Sequence, residues 1–269
     1  MEPSEYTSIA VSVQGQIGVI EMIRPEEGNP LEPEGSEREM HDAMSRFQRD
    51  RQVRVVVLTG SGEVFSRGGH KTPIRVDPAE MGGFSLGERL AYGYSYGVFW
   101  EYLPEYRKPV IAAVNGLAAD GAWELALLCD LIVASESAIF HMNHFDMGIN
   151  PCQGTCHYLS TALGKHRAMD LVLNAKSMTA RECLEVGLVN LVVPDGQCLS
   201  AAIEMADGIA KRPPLAVALT KRLISRAAGV HENHDLERTV AYFLRTTEDS
   251  QAASRAWATD TPAPEYFGR

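Results

Sequence analysis

No stretch of this sequence approaches the ~20 consecutive apolar residues that a membrane-spanning helix requires. Nor does it hold a C-x-x-C pair. Its five cysteines (129, 152, 156, 183 and 198) are odd in number and irregularly spaced, which argues against a disulfide framework and for a reduced, cytoplasmic protein. Positive charge is scarce: 25 Lys and Arg stand against 35 Asp and Glu, a net charge of −10, which speaks against nucleic acid or an anionic membrane as partner. The first residues, MEPSEYTSIAV, are acidic and lack an apolar centre, so neither a signal peptide nor a transit peptide is expected. Internal repeats and low-complexity tracts are missing too.

What is present is enough apolar material for a substantial core, 45% of 269 residues. Strand patterns come first, then mixed α/β, then helices. Ser8–Val13 and Gln16–Ile23 alternate around Gln14-Gly15, a hairpin signal. Ser36-x-x-Glu39 reads as a capping box before Met40, Ala43, Met44 and Phe47 at helical spacing. Val53–Leu58 is a buried strand closed by Thr59-Gly60, and Val64-Phe65 leads into the turn Ser66–Gly69. Residues 72 to 87 form a Gly/Pro-rich loop before an aromatic helix over Leu86–Tyr102. Ala138–Phe140 is a short strand and His141–Gln153 an irregular loop. Helices are predicted over Ala162–Asn174 and over Thr179–Val186, the second with the box Thr179-x-x-Glu182, and a last strand over Val189–Val193. From Leu199 the chain is helical, broken at Pro213-Pro214. The division expected is a core domain over 1–196 and a helical region over 197–269.

The most informative segment is Lys108–Ser135, KPVIAAVNGLAADGAWELALLCDLIVAS. A β-branched run stops at Asn115-Gly116, a small-residue turn follows, and a helix opens that carries one carboxylate, Glu124, among apolar residues. A glycine turn opening a helix aims unpaired N–H groups and the positive end of the helix dipole at one point. That point suits a phosphate or an oxygen on which negative charge develops. Burial of Glu124 is expected to raise its pKa toward neutrality, which suits proton transfer; a structural carboxylate bonded to backbone or an arginine is the alternative.

KPVIAAVNG…G-x-x-ELALLCDLIVAS resembles the crotonase (enoyl-CoA hydratase/isomerase) family. Arg24-Pro25…Asn29, Val56-x-Leu58-Thr59-Gly60, Phe65-Ser66-x-Gly68-Gly69, Gly148…Pro151, Leu163-Gly164-x-x-x-Ala168, Ala180…Gly187-Leu188-Val189 and Thr247-Glu248-Asp249…Pro264-Glu265 support it over nearly the whole chain. The resemblance implies an α/β fold, a spiral of ββα units, with a helical C-terminal region that builds a homotrimer or hexamer. It implies an acyl-CoA substrate, with CoA carried by the substrate and no separate cofactor or metal. It places an oxyanion hole at the N–H groups of Gly69 and Gly121 and puts Glu124 at the first acid/base position. Glu27, Gly28, His70, Lys71, Asp120 and Trp123 fall at substrate-binding positions.

Several residues depart from the family pattern. The second acid/base glutamate is replaced by His144, in a His-Phe pair like that of the 6-oxocamphor hydrolase type, whose members cleave carbon–carbon bonds in cyclic β-diketones. Histidine can act as base and acid in turn. The aspartate that partners the histidine in that type falls near Gln153 here, and Asp146 is a possible substitute. Glu26 and Glu27 stand where CoA phosphates usually pass, an unfavourable arrangement, while Lys71 can still meet a phosphate. Asp120 replaces a glycine and is expected to cap the following helix. Three readings stay open: a lyase acting on an acyl-CoA enolate, a hydrolase of a cyclic diketone or ring-derived thioester, and a non-catalytic acyl-CoA-binding paralogue. Tyr92, Tyr94, Tyr96, Phe99, Trp100 and Tyr102 can line an acyl pocket or belong to core or interface. The crowd of His141, His144, Asp146, Cys152, Cys156 and His157 matches no usual zinc spacing, and His231 and His234 are expected in a solvated turn.

Overall fold

The computed structural model describes residues 6–69 and 98–268. His70, Lys71, the 72–87 loop and Tyr92, Tyr94 and Tyr96 lie outside them. The strands divide into two sheets. The larger has the order β1 (Ile9–Gln14), β2 (Ile17–Met22), β3 (Val55–Gly60), β5 (Val110–Val114), β7 (Leu131–Ser135), β10 (Leu191–Val193). The smaller has β4 (Val64–Ser66), β6 (Leu117–Ala119), β8 (Ile139–His141), β9 (Ser177–Thr179). Three times in succession a strand of the larger sheet is followed by one of the smaller, β3–β4, β5–β6 and β7–β8, and successive members pair in parallel within each sheet. This is the expected ββα spiral. The small strands β4, β6 and β9 had read as turn or loop, because three residues such as Leu117-Ala118-Ala119 are too few and too uniform to show a period.

A parallel sheet must be covered on both faces, so its strands read as continuous apolar runs. Alternate side chains sort accordingly. Val56, Leu58, Val110, Ala112, Val114, Ile132 and Ala134 face one core, shared with α1 (Arg38–Arg49), α2 (Val98–Glu105) and α3 (Gly121–Leu128). Val55, Val57, Ile111, Ala113 and Val133 face a second core against α7 (Cys198–Ala210). Ala202, Ala206 and Ala210, four residues apart, form the small-residue stripe by which α7 lies on the sheet.

The crossing between sheets is held by polar groups. Asn115 Nδ2 donates to Gly62 O at 2.9 Å, and Asn29 Nδ2 donates to Ser61 O at 3.1 Å and Val64 O at 3.0 Å. Gly116 is required here, since a Cβ would stand 2.0 Å from Glu63 O.

Some local expectations fail for identifiable reasons. Ser36 and Glu39 form no capping box: Ser36 Oγ donates to Pro30 O at 2.7 Å, and Glu39 accepts the N–H groups of Thr7 and Ser8 at 2.9 and 2.8 Å. The helix starts later, at Arg38. The helix expected over 162–174 is α5 (Lys165–Leu173), and an unexpected helix, α4 (Thr155–Leu163), precedes it and ends at Gly164, whose φ is +75°. The Thr179–Glu182 box is present and opens α6 (Ala180–Glu185). After α7 come α8 (Pro214–Ala227), α9 (Val230–Leu244) and α10 (Glu248–Ala258). His231 and His234 therefore sit in a helix rather than a turn. Among the described residues no helix is long and apolar enough to cross a membrane.

Candidate active site

The β5–β6 crossing delivers the chain to Asp120, where it turns into α3. Asp120 is held at φ 50°, ψ −118°, a left-handed conformation that costs a side-chain-bearing residue on the order of 1–3 kcal/mol. Contrary to expectation, its carboxylate does not cap α3. Oδ1 instead accepts the N–H of Asn143 at 2.6 Å and lies 3.6 Å from Nδ1 of His144. A hydrogen bond to a charged acceptor contributes about 1.5–3 kcal/mol, enough to offset the strain.

The turn Ser66–Gly69 closes on the same place. Gly68 O accepts the N–H of Leu31 at 2.8 Å. Gly68, at φ +80°, is so near that a Cβ there would stand 2.6 Å from Ala119 O and 3.2 Å from the Gly121 nitrogen. Among the described residues nothing lies within 4 Å of where a Cβ on Gly69 would stand. Among the described residues, neither the Gly69 nor the Gly121 N–H donates a hydrogen bond. The fold thus brings these two glycines, 52 positions apart in the chain (121 − 69), to neighbouring places.

One helical turn further, Glu124 is 2% exposed and well satisfied. Its Oε1 accepts the Cys152 N–H at 2.7 Å, the Gln153 N–H at 3.3 Å and the Thr155 hydroxyl at 3.1 Å. Its Oε2 lies 3.3 Å from Nε2 of His144, itself 4% exposed. Burial by itself would raise the Glu124 pKa, as expected from the sequence. The His144 charge and the donors from Cys152 and Thr155 outweigh it and hold the carboxyl below its usual range. Burial likewise opposes a charge on His144, yet Glu124, and then Asp120, hold its pKa above the usual value. Both directions favour the carboxylate–imidazolium form of the pair. Asp146 is exposed, and the carboxylate beside Nδ1 is that of Asp120.

Other residues are placed as follows. Trp123 is fully buried against Phe140, ring centroids 5.6 Å apart, within the core. Glu27 is gripped by Arg24, whose Nε donates to it at 2.9 Å and which also pairs with Glu32. The Arg67 side chain lies against Gly28, where a Cβ would stand 2.4 Å from its Cδ. Phe99 and Tyr106 are core, Tyr106 donating to Met44 O at 3.1 Å. Of the His/Cys/Asp crowd, His144 and Cys152 reach Glu124, and His141 instead meets Ser177 Oγ at 2.9 Å. One ligand atom each of Glu124, His144 and Cys152 falls within 4.8 Å of the others. Burial and the Glu124 charge keep Cys152 a thiol, so a metal would have to displace protons from both Cys152 and His144.

Sequence reasoning missed the far wall. A pocket beside Cys152 and Gln153 is lined by Trp100 and by Arg238, Ala241, Tyr242 and Arg245 of α9. No local pattern marks these residues; only the packing of α9 on α4 brings them here.

Comparison with known proteins agrees with this geometry. The family described as enoyl-CoA hydratase/isomerase matches residues 12–259. The chain is 34% identical over 254 residues to the probable enoyl-CoA hydratase of Rhizobium meliloti, covering 94% of this chain and 95% of that one. To the short-chain-enoyl-CoA hydratase of Clostridium acetobutylicum it is 33% identical over 222 residues, 82% of each chain. The crystal structure of carnitinyl-CoA hydratase from Mycobacterium avium superposes with a TM-score of 0.79 at 31% identity, covering 97% of this chain and 99% of that one. The chain belongs to the enoyl-CoA hydratase/isomerase family.

The pair sets the pH dependence of stability. His144, raised above 6.5, contributes stability that is fully present below 6.5 and lost as pH rises through its folded pKa. Glu124, depressed below 4.5, contributes stability present above 4.5 and lost as pH falls through its folded pKa. Urea midpoints measured against pH should form a plateau whose alkaline edge lies above 6.5; in His144→Gln that edge should disappear. Strain at Asp120 is read by two substitutions. Asp120→Ala keeps the strain and loses the acceptor, so it should be about 1–2 kcal/mol less stable than Asp120→Gly. Equal stabilities would show that the turn carries no strain.

Proposed function

We propose that this protein adds water across the α,β double bond of an acyl-CoA thioester. The observation that carries the reading is the buried Glu124–His144 pair, 3.3 Å apart, one helical turn from Gly121, whose mutual electrostatics favour the carboxylate and the imidazolium. In that state one partner is a ready base and the other a ready acid. Glu124 takes a proton from water as the water oxygen bonds to Cβ. The π electrons move toward the carbonyl, and the thioester oxygen, now enolate-like, is held by the two amides. His144 then delivers its proton to Cα. Proton transfer from Glu124 to His144 restores the resting pair. Removing one donor from such a hole typically costs roughly 10²–10³ in rate.

CoA is the substrate's handle in this reading, and no separate cofactor is called for. The repulsion expected from Glu27 is reduced because Arg24 takes up its charge, and Arg67 beside Gly28 offers a cation to a phosphate. Carbon–carbon hydrolysis of a cyclic diketone or ring-derived thioester is a second reading, favoured by Asp120 at 3.6 Å from Nδ1, which would orient His144 as a base toward water. It needs neutral His144, so its rate rises with pH where hydration falls.

The test is turnover of crotonyl-CoA, with calorimetric titration of CoA, acetoacetyl-CoA and crotonyl-CoA beside it. Hydration predicts activity that declines on the alkaline side of 6.5. Glu124→Gln and His144→Gln should each lower kcat by roughly 10²–10⁴, with thioester binding kept. Binding without turnover of any acyl-CoA would identify a non-catalytic paralogue; no thioester binding by the folded protein would sink the acyl-CoA reading.

A homotrimer, or a hexamer of two trimers, is proposed on the apolar face of the last helices. Leu215, Leu219 and Leu223 of α8 are 79%, 60% and 69% exposed, and Leu236 and Phe243 of α9 are 63% and 67% exposed. Such contiguous exposed apolar side chains mark an interaction surface. Light scattering should give three or six times the mass of one chain, and Leu219→Glu with Leu223→Glu should reduce it. A monomeric wild-type protein would refute this assembly.

A further inference from the structure

Resting on the acyl-CoA reading above, we infer that the substrate's acyl group ends in a carboxylate, bound between Arg238 and Arg245 of α9. The pocket that these residues line begins at the reacting pair, because Cys152 and Gln153, whose N–H groups hold Glu124 Oε1, also form its wall. An acyl chain extending past Glu124 and His144 therefore meets a small pocket lined by Trp100, Gln153, Arg238, Tyr242 and Arg245.

A hydrocarbon tail does not suit such a lining. Desolvating polar and charged groups against an apolar ligand is costly. A carboxylate does suit it, since the planar guanidinium fork matches carboxylate oxygens two at a time. Arg238 is fixed for that purpose. Its Nη2 meets Glu101 Oε1 at 3.0 Å and the Tyr242 hydroxyl at 3.1 Å, its side chain is 12% exposed, and both contacts use the same nitrogen. Among the described residues its Nε and Nη1 make no hydrogen bond, so these two donors can meet a ligand. Arg245 lies across the Tyr242 ring, its guanidinium carbon 5.9 Å from the centroid, while that of Arg238 is 5.8 Å from the same ring. Both cations thus lie within 6 Å of the Tyr242 ring.

Other charges nearby do not reverse this preference. Glu101 is committed to Arg238, and Glu237 accepts the His157 N–H at 3.2 Å at the start of α4. Burial pushes the Glu237 pKa up to about 7, which weakens its opposition to an incoming anion.

The experiment compares two enoyl thioesters of similar length on the wild-type protein, glutaconyl-CoA, which ends in a carboxylate, and trans-hex-2-enoyl-CoA, which ends in a methyl group. The expected kcat/KM ratio favours glutaconyl-CoA by roughly tenfold to hundredfold, the range that a charge-assisted hydrogen bond supplies. Arg238→Met and Arg245→Met should each bring that ratio back toward one, and Arg→Lys at either place should restore part of it. A wild-type ratio at or below one overturns the inference while leaving hydration standing, since hexenoyl-CoA is then the better substrate. Failure of both thioesters to bind or turn over removes the acyl-CoA reading itself, and this inference with it.

Discussion

The contact between Glu124 and His144 is the constraint on which the site depends. A carboxylate and an imidazole are each expensive to bury alone, and removing one member of a buried pair typically costs about 3–5 kcal/mol. The Glu124 carboxylate also collects the backbone N–H groups of Cys152 and Gln153 and the Thr155 hydroxyl. The loop after β8 and the start of α4 are therefore folded around this one side chain. Oε1 is occupied by structure, and Oε2 faces the imidazole.

Around that pair the fold supplies backbone rather than side chains. Each step of the spiral moves the chain from the larger sheet to the smaller, and at the second step it arrives at Asp120 in a strained conformation. The strain has a local return, because a glycine there could neither accept the Asn143 N–H nor stand beside His144. The tight approach of Gly68 to the Gly121 nitrogen leaves the Gly69 and Gly121 amides close together and, among the described residues, without acceptors. Preorganised donors of this kind need no rearrangement when charge develops, which is why backbone amides at a helix start suit the task.

The C-terminal helices complete the site from a distance. Arg238, Tyr242 and Arg245 lie more than a hundred positions beyond Glu124, yet α9 packs on α4 and closes the pocket beside Cys152. The face of α8 and α9 that carries Leu219, Leu223 and Phe243 is left bare in a single chain. The same helices thus shape the pocket and present an apolar surface. A change in one can be felt in the other.

The sequence by itself determined the family and, only through that resemblance, the ββα spiral; it also determined the buried runs of β3 and β5, the Thr179–Glu182 cap, and the residue types at Gly69, Gly121, Glu124 and His144. These are legible because turn glycines, apolar periods and a lone carboxylate in an apolar helix are local signals. Tertiary structure alone decided how they act. Burial predicts a raised pKa for Glu124, and only the placement of His144 and three donors reverses it. Ser36 and Glu39 have the spacing of a cap, yet Pro30 and the Thr7–Ser8 backbone claim them. Asp120 reads as a helix cap, yet the Asn143 N–H takes its carboxylate, which stands 3.6 Å from His144 Nδ1 while Asp146 is exposed. In each case the outcome was set by which distant donor or charge came within ~3–4 Å, where Coulomb and hydrogen-bond energies outweigh local preference, and spacing along the chain carries no record of that distance.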